Sequence, residues 1–300
     1  FLRAPIELHP GQRKLLKRLE FVSPVIFDRW IHGAPLAAYA ESQTGKGRFL
    51  QDGKVWIATA EVADLPDAWG AAVPKSAADR WKDWREWVAG EDDGAAWLRA
   101  QKVWQTQPVD RVTVDRITAA SAIYRIGRTV YAPGCGLWFA VRWPDGPDAA
   151  LRSGLETVLT HLADRGLGGE RSVGYGQFKW TALDRELDLP DPEPDGAALT
   201  LARYLPRKAA LPKALSDRDA AYRLDAVGGW LGTPAGPARR RRQVHLLTEG
   251  SVFKPVGDGP WGRVADVRPE TWDAHPIWRW GYACPVGVQS SENDERSPHA

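Results

Sequence analysis

The run Leu151-Arg-Ser-Gly-Leu-Glu-Thr-Val-Leu-Thr-His-Leu-Ala-Asp-Arg-Gly-Leu-Gly-Gly-Glu-Arg-Ser-Val-Gly-Tyr-Gly-Gln-Phe178 contains a helix, its stop signal and a glycine-rich loop. Leu151, Leu155, Val158, Leu159 and Leu162 fall along one helical stripe, and Gly166 stands at the left-handed position that ends a helix. Gly166, Gly168, Gly169, Gly174 and Gly176 then punctuate a loop that also carries Arg165, Arg171, Ser172 and Tyr175. Glycines let backbone N–H groups approach a polyanion, and the arginines and serine add donors suited to phosphate oxygens. The dinucleotide fingerprint does not apply, because it lies between a strand and the helix it opens, whereas these glycines follow a helix. A phosphate loop of the Walker type is also excluded, since no GKS or GKT occurs. A turn serving only tight packing is the alternative reading of the same glycines.

Outward from this loop, Val112 and Val114 begin a predicted strand, and residues 128–131 form another that ends at the turn 132–136. Leu137, Phe139, Val141 and Trp143 alternate with the period of a strand packed on one face. Residues 175–183 read as a further strand. Strand, strand, helix, glycine loop and strand in this order match the latter portion of a ferredoxin-like βαββαβ unit, an α+β fold. Residues 183–196 concentrate carboxylates and three prolines, as an exposed linker does. Beyond it, residues 199–205, 244–247, 262–267 and 278–288 read as strands with little helical signal. The resulting division is a first domain over 1–184, an acidic linker over 185–197, a smaller β-rich domain over 198–288 and a mobile tail over 289–300. Upstream, Trp81, Trp84 and Trp87 are spaced by three inside a predicted helix over about 76–88, a spacing that fits core or partner contacts.

The 300 residues carry 43% hydrophobic and 26% charged side chains, which suits a folded globular chain rather than a disordered one. Without a long apolar run or a signal peptide, the chain reads as cytoplasmic. Cys135 and Cys284 have no ligand-spaced neighbours and read as small buried residues rather than a metal site or disulfide. Methionine is absent even from position 1, so the sequence reads as an excerpt that lacks an N-terminal strand and helix of the fold. A net charge of +2 requires any polyanion site to show itself in the distribution of charge.

Residues 166–178 resemble the glycine-rich loop of the CRISPR RAMP superfamily, whose domains are ferredoxin-like (RRM-like). Within it the chain is similar to the family of fourth Csm subunits of type III-A effector complexes. Residues 16–33, Val114-Asp-Arg-Ile-Thr118, Gly250-Ser-Val-Phe253 and residues 275–286 carry further matches, in family order. The chain shows no clear second glycine-rich loop. The resemblance implies a tandem ferredoxin-like architecture and a non-catalytic subunit for antiviral defence, with no cofactor and no metal. It implies partners as well: the 5′ repeat-derived tag of the guide RNA (crRNA), the large polymerase-type CRISPR subunit and the backbone RAMP subunits, with no membrane.

The residues themselves are compatible with that reading. Single-stranded RNA is held by backbone clamps, arginines and aromatic or apolar wedges. Gly166, Gly168, Gly169, Arg171, Ser172, Gly174, Tyr175 and Gly176 supply the clamp. Arg116, Arg125, Arg128 and Tyr131 lie on or beside the predicted hairpin, and Lys46 and Arg48 flank a glycine-rich turn. Arg239 to Arg242 precede a strand and read as a solvated edge. Some relatives in the superfamily cut precursor RNA with a histidine, for which His32, His161, His245 and His275 are the candidates. None of them has a neighbouring nucleophile or a second histidine at a telling spacing. A purely structural adaptor with its loop facing protein is the third reading.

Overall fold

A computed structural model describes residues 1–6, 18–34, 47–143, 148–183, 187–217, 220–233 and 236–289. The chain divides into two compact units, one of residues 1–135 with 189–300 and one of residues 136–188.

The first unit opens with a four-stranded sheet. Strands β1 (Leu2–Arg3), β2 (Phe21–Val22), β3 (Arg48–Leu50) and β4 (Val55–Ile57) stand in the order β1-β2-β4-β3. The β2–β4 pair is parallel, with Phe21 opposite Val55, and the outer pairs are antiparallel. A parallel pair needs a crossover, and helix α1 (Pro24–Ile31) lies in it. Ser23 caps this helix by accepting from the Ile26 N–H at 3.3 Å, and Pro24 fits the first turn, where its missing N–H costs nothing. Ile26, Phe27, Trp30 and Ile31 form the buried stripe of α1.

That stripe packs with Val22 and Trp56 against Leu199, Ala221, Val252 and Val286 from the C-terminal part. There β7 (Ala197–Thr200) is the centre of a sheet ordered β12-β7-β15, with β12 at Val252–Phe253 and β15 at Pro285–Val288. One core therefore joins residues from both ends of the sequence. The remaining strands pair two by two: β8 (Leu224–Val227) with β11 (Val244–Leu247), β9 (Trp230–Thr233) with β10 (Gly236–Arg240), and β13 (Ala265–Asp266) with β14 (Trp278–Arg279). The strand expected over 244–247 is thus observed, whereas those expected over 199–205, 262–267 and 278–288 are shorter or interrupted. Within the acidic stretch Asp188, Asp191, Glu193, Pro194 and Asp195 are exposed, and two other residues anchor it. Leu189 packs on the core and the Gly287 N–H donates to the Pro190 carbonyl at 2.8 Å.

A second core is rich in tryptophan. Trp69, Trp87, Val88 and Leu98 are buried there, with Trp81, Trp84 and Trp97 partly covered. The helix expected over 76–88 is broken into a turn at Lys75–Ala78 and helix α2 (Trp84–Gly90). Asp83 causes the break, because its extended backbone and its carboxylate, accepting from the Arg85 N–H at 3.0 Å, start a new helix. Trp84 and Trp87 then meet Trp97 of α3 (Asp92–Ala100), both at 5.7 Å between ring centres. These tryptophans are core residues. Cys135 joins this core half-buried, and burial pushes its thiol up. Cys284, expected to be buried, is exposed.

From this core runs a hairpin of two eleven-residue strands, β5 (Trp104–Val114) and β6 (Ser121–Tyr131), paired without a break from Trp104↔Tyr131 to Val114↔Ser121. The two strands expected near 112–114 and 128–131 are the far and near ends of this one ribbon. Asp115 closes its tip by accepting from the N–H groups of Ile117 and Thr118 at 2.7 and 3.0 Å. Those donors hold the Asp115 carboxyl below the usual range.

The second unit contains α4 (Ala149–Arg165), where the sequence stripe placed a helix, and the glycine loop. Asp148 caps α4 through the Ala150 N–H, and Gly166 ends it with φ +80°. Leu155, Leu159 and Leu162 are half-buried, but Leu151 and Val158 remain about 60% exposed, so the stripe is only partly covered. The strands expected over 137–143 and 175–183 are not formed. Alternation supplies a face but not a ladder, and no described segment forms a strand ladder with either stretch.

Candidate nucleic-acid interface

The glycine loop has a tight base and an open tip. At the base the Leu167 N–H donates to the Gly176 carbonyl at 2.8 Å, while Phe178 N–H reaches the Ala163 carbonyl at 3.3 Å. The Gln177 amide adds a bond to the Asp164 carbonyl at 3.1 Å. Gly176 has φ +79°, and a Cβ there would lie 2.0 Å from the Leu167 oxygen. One on Gly166 would lie 2.7 Å from the Tyr175 oxygen. These two glycines are required by packing.

The tip is different. A short turn over Arg171–Val173 is entered through Glu170 in the left-handed region and left through Gly174 at φ +87°. A Cβ on Gly168, Gly169 or Gly174 would meet nothing within 4 Å. Among the described residues, none accepts from the N–H groups of Gly168 and Gly169 or bonds the side chains of Arg171 and Ser172, which are exposed. The tip thus offers two backbone donors, a guanidinium and a hydroxyl to solvent, the equipment of a phosphate-binding loop.

The hairpin arginines lie in the other compact unit. Arg125 spends its Nε on Asp110, directly opposite on β5, at 2.6 Å, and Arg128 bonds Gln107, also directly opposite, at 2.9 Å. Arg116 is exposed at the tip, beside Ile117, which is 95% exposed. Tyr131 closes the ladder at the base of β6. Sequence reasoning missed the apolar character of the tip, because Ile117 sits in a turn outside any alternating pattern.

Arg48 corrects an expectation. It is buried, with its Nε donating to the Val88 carbonyl at 2.7 Å and a further nitrogen bonding the Ala89 carbonyl, so it ties β3 to the end of α2 rather than facing RNA. Lys46 lies outside the described residues. His32 caps α1 with its Nδ1 at 2.7 Å from the Asp28 carbonyl, and His275 packs edge-on against Trp272. His161 and His245 are exposed on α4 and β11.

A glycine-rich loop set directly behind a helix, in a mixed α+β chain, is the build of CRISPR-associated RAMP proteins. Residues 193–288 match the family model of the CRISPR Csm4 C-terminal domain, and the chain is similar to several Csm4 proteins. It is 31% identical over 214 residues to the CRISPR system Cms protein Csm4 of Mycobacterium tuberculosis, covering 67% of this chain and 64% of that one. It is 27% identical over 187 residues to the Csm4 of Thermococcus onnurineus, covering 62% of this chain and 56% of the relative. For the Streptococcus thermophilus Csm4 the identity is 26% over 165 residues, 54% of this chain and 51% of the relative. The chain therefore spans between about half and just under two thirds of the length of these relatives. No helix among the described residues is long and apolar enough to cross a membrane.

Proposed function

We propose that the chain is a non-catalytic subunit of a type III-A Csm effector complex, gripping the 5′ repeat-derived tag of the guide RNA and anchoring the large polymerase-type subunit beside the backbone RAMP subunits. The observation that carries this reading is the open tip of the glycine loop. Base-of-loop glycines are needed for closure and Gly168 is held at φ +90°, but Gly169 has neither a packing nor a backbone reason to be glycine, and the N–H groups of Gly168 and Gly169 are unclaimed among the described residues. Close approach of a polyanion supplies the reason. Arg116 and Ile117 at the hairpin tip add a charge and an apolar wedge of the kind that splays single-stranded bases. The sheet order β1-β2-β4-β3 around a βαββ segment favours the tandem ferredoxin-like reading of the fold. In it, β2, β3 and β4 take the places of the first three ferredoxin strands, and β1 takes the edge beside β2.

Two substitutions at the loop test this against a packing role. Arg171→Ala removes a charge-assisted donor worth about 1.5–3 kcal/mol, and Gly169→Ala places a methyl where nothing stands within 4 Å. In the assembled complex both should weaken tag-RNA binding about tenfold or more, at about 1.4 kcal/mol per decade, with the melting temperature of the chain unchanged and the RNA recovered intact. Unchanged affinity with lowered stability would make the loop a packing element of a structural adaptor. Specific cleavage products lost on replacing His32, His161 or His275 would make the chain a nuclease.

A further inference from the structure

We infer that the C-terminal part carries a second surface for single-stranded nucleic acid, built from Trp230, Arg240, Arg242, Trp278, Arg279 and Trp280. Backbone pairing makes these residues neighbours. Arg240 lies directly opposite Trp230 across the β9–β10 pair, which puts both side chains on one face. Two residues on, the Arg242 N–H donates to the Val267 carbonyl at 2.9 Å and its guanidinium reaches the Asp266 carbonyl at 3.3 Å. Asp266 in turn lies opposite Trp278, and Ala265 opposite Arg279. Trp278 and Trp280, two apart on an extended chain, are 62% and 66% exposed, and Trp230 is 66% exposed.

Large exposed aromatics are costly to leave in water, and three on or beside two strand pairs joined through the Arg242–Val267 bond mark a binding face. Charge selects the occupant. Of the arginine run 239–242, Arg240 and Arg242 are exposed, Arg268 meets Asp266 at 2.8 Å, and Arg279 lies opposite Ala265. The acid within the paired ribbon, Asp266, is already claimed. Burial pushes its carboxyl up, but the N–H groups of Arg268 and Ile277 and the charges of Arg268 and Arg242 outweigh this and hold it below the usual range. Glu270 and Asp273 lie on the following turn, where Arg239 bonds Thr271 and stacks toward Trp272 at 5.9 Å. The Nε atoms of Arg241 and Arg279 are buried with no acceptor among the described residues.

A protein partner would have to bring a matching set of carboxylates to offset desolvation of these guanidinium groups. A single strand brings one phosphate per nucleotide and a π-face on every base, so it satisfies arginine and tryptophan together and without sequence preference. This surface is separate in sequence from the glycine loop, and the inference does not rest on the tag-binding reading.

The test uses the full chain and a fluorescein-labelled oligouridylate of about 15 nucleotides, enough for one site. Anisotropy titrations over a range of KCl compare the parent with Arg240→Ala/Arg242→Ala, Trp230→Ala/Trp278→Ala and Arg171→Ala. The arginine pair should weaken binding at least tenfold and shrink the slope of log K against log salt by about 1.4, at about 0.7 for each phosphate no longer neutralised. The tryptophan pair should weaken binding with the slope unchanged. Arg240 and Arg242 are exposed, so the arginine pair decides even where the tryptophan pair folds poorly. An arginine pair with parental affinity, slope and melting temperature overturns the inference, and the surface then faces protein or solvent. Loss confined to Arg171→Ala overturns it while leaving the glycine-loop reading intact.

Discussion

Tyr204 shows how a single side chain reports on the fold. Its ring is 2% exposed, packs on Phe253 at 4.5 Å, and burial pushes its pKa to about 12 against a small opposing effect of Arg207. An unfolded tyrosine titrates near 10, so from about pH 10 to about pH 12 the unfolded chain has already released the proton that the folded chain keeps. Stability contributed by the buried neutral phenol is fully present below pH 10 and falls as pH rises through that window. An absorbance titration of tyrosinate should show one tyrosine ionising about two pH units above the normal range, and Tyr204→Phe should abolish that step. A titration in which Tyr204→Phe changes nothing above pH 11 would contradict the burial. Arg48 and Arg171 show what sequence conveys at this scale. Both lie within two residues of a glycine, yet one is buried on the carbonyls of Val88 and Ala89 and the other is exposed on an open turn. A nearby glycine does not tell the two apart, whereas the arrival of a helix end 40 residues from Arg48 does.

Among the elements, the glycine loop and α4 are the most legible in sequence, because a helix stripe, its stop and a glycine run are all written within 28 residues of chain. The strands expected over 137–143 and 175–183 do not form, since period two records a face while a strand also needs a partner to pair with. The hairpin reads as two fragments because Pro108 and Gly127, which face each other in its middle, interrupt the β-forming pattern on both strands. Within the loop, the division into base and tip gives a sharp contrast. Gly176→Ala puts a Cβ 2.0 Å from the Leu167 oxygen at φ +79°, where a left-handed residue with a side chain already costs about 1–2 kcal/mol. Hydrogen exchange of the Leu167 N–H should accelerate at least tenfold in Gly176→Ala and stay unchanged in Gly169→Ala. Equal protection in both variants would show that the base is not closed as described.

Across the whole molecule, one core draws Val22, Phe27 and Trp56 together with Leu199, Val252 and Val286, a union that no sequence window displays because its halves lie more than 140 residues apart. The same union explains why the matched C-terminal domain, residues 193–288, shares its core with the N-terminal sheet. It also places Trp230, Trp278 and the arginine run on the part of the chain that the family model covers. A loop tip in contact with the guide RNA backbone should be captured by crosslinking. Assembled complex carrying a guide RNA with a photoreactive nucleotide in its 5′ tag is irradiated, and the modified peptides are identified by mass spectrometry. Adducts are expected within residues 166–178. Adducts on other subunits or elsewhere in this chain, with that peptide recovered unmodified, would contradict this contact.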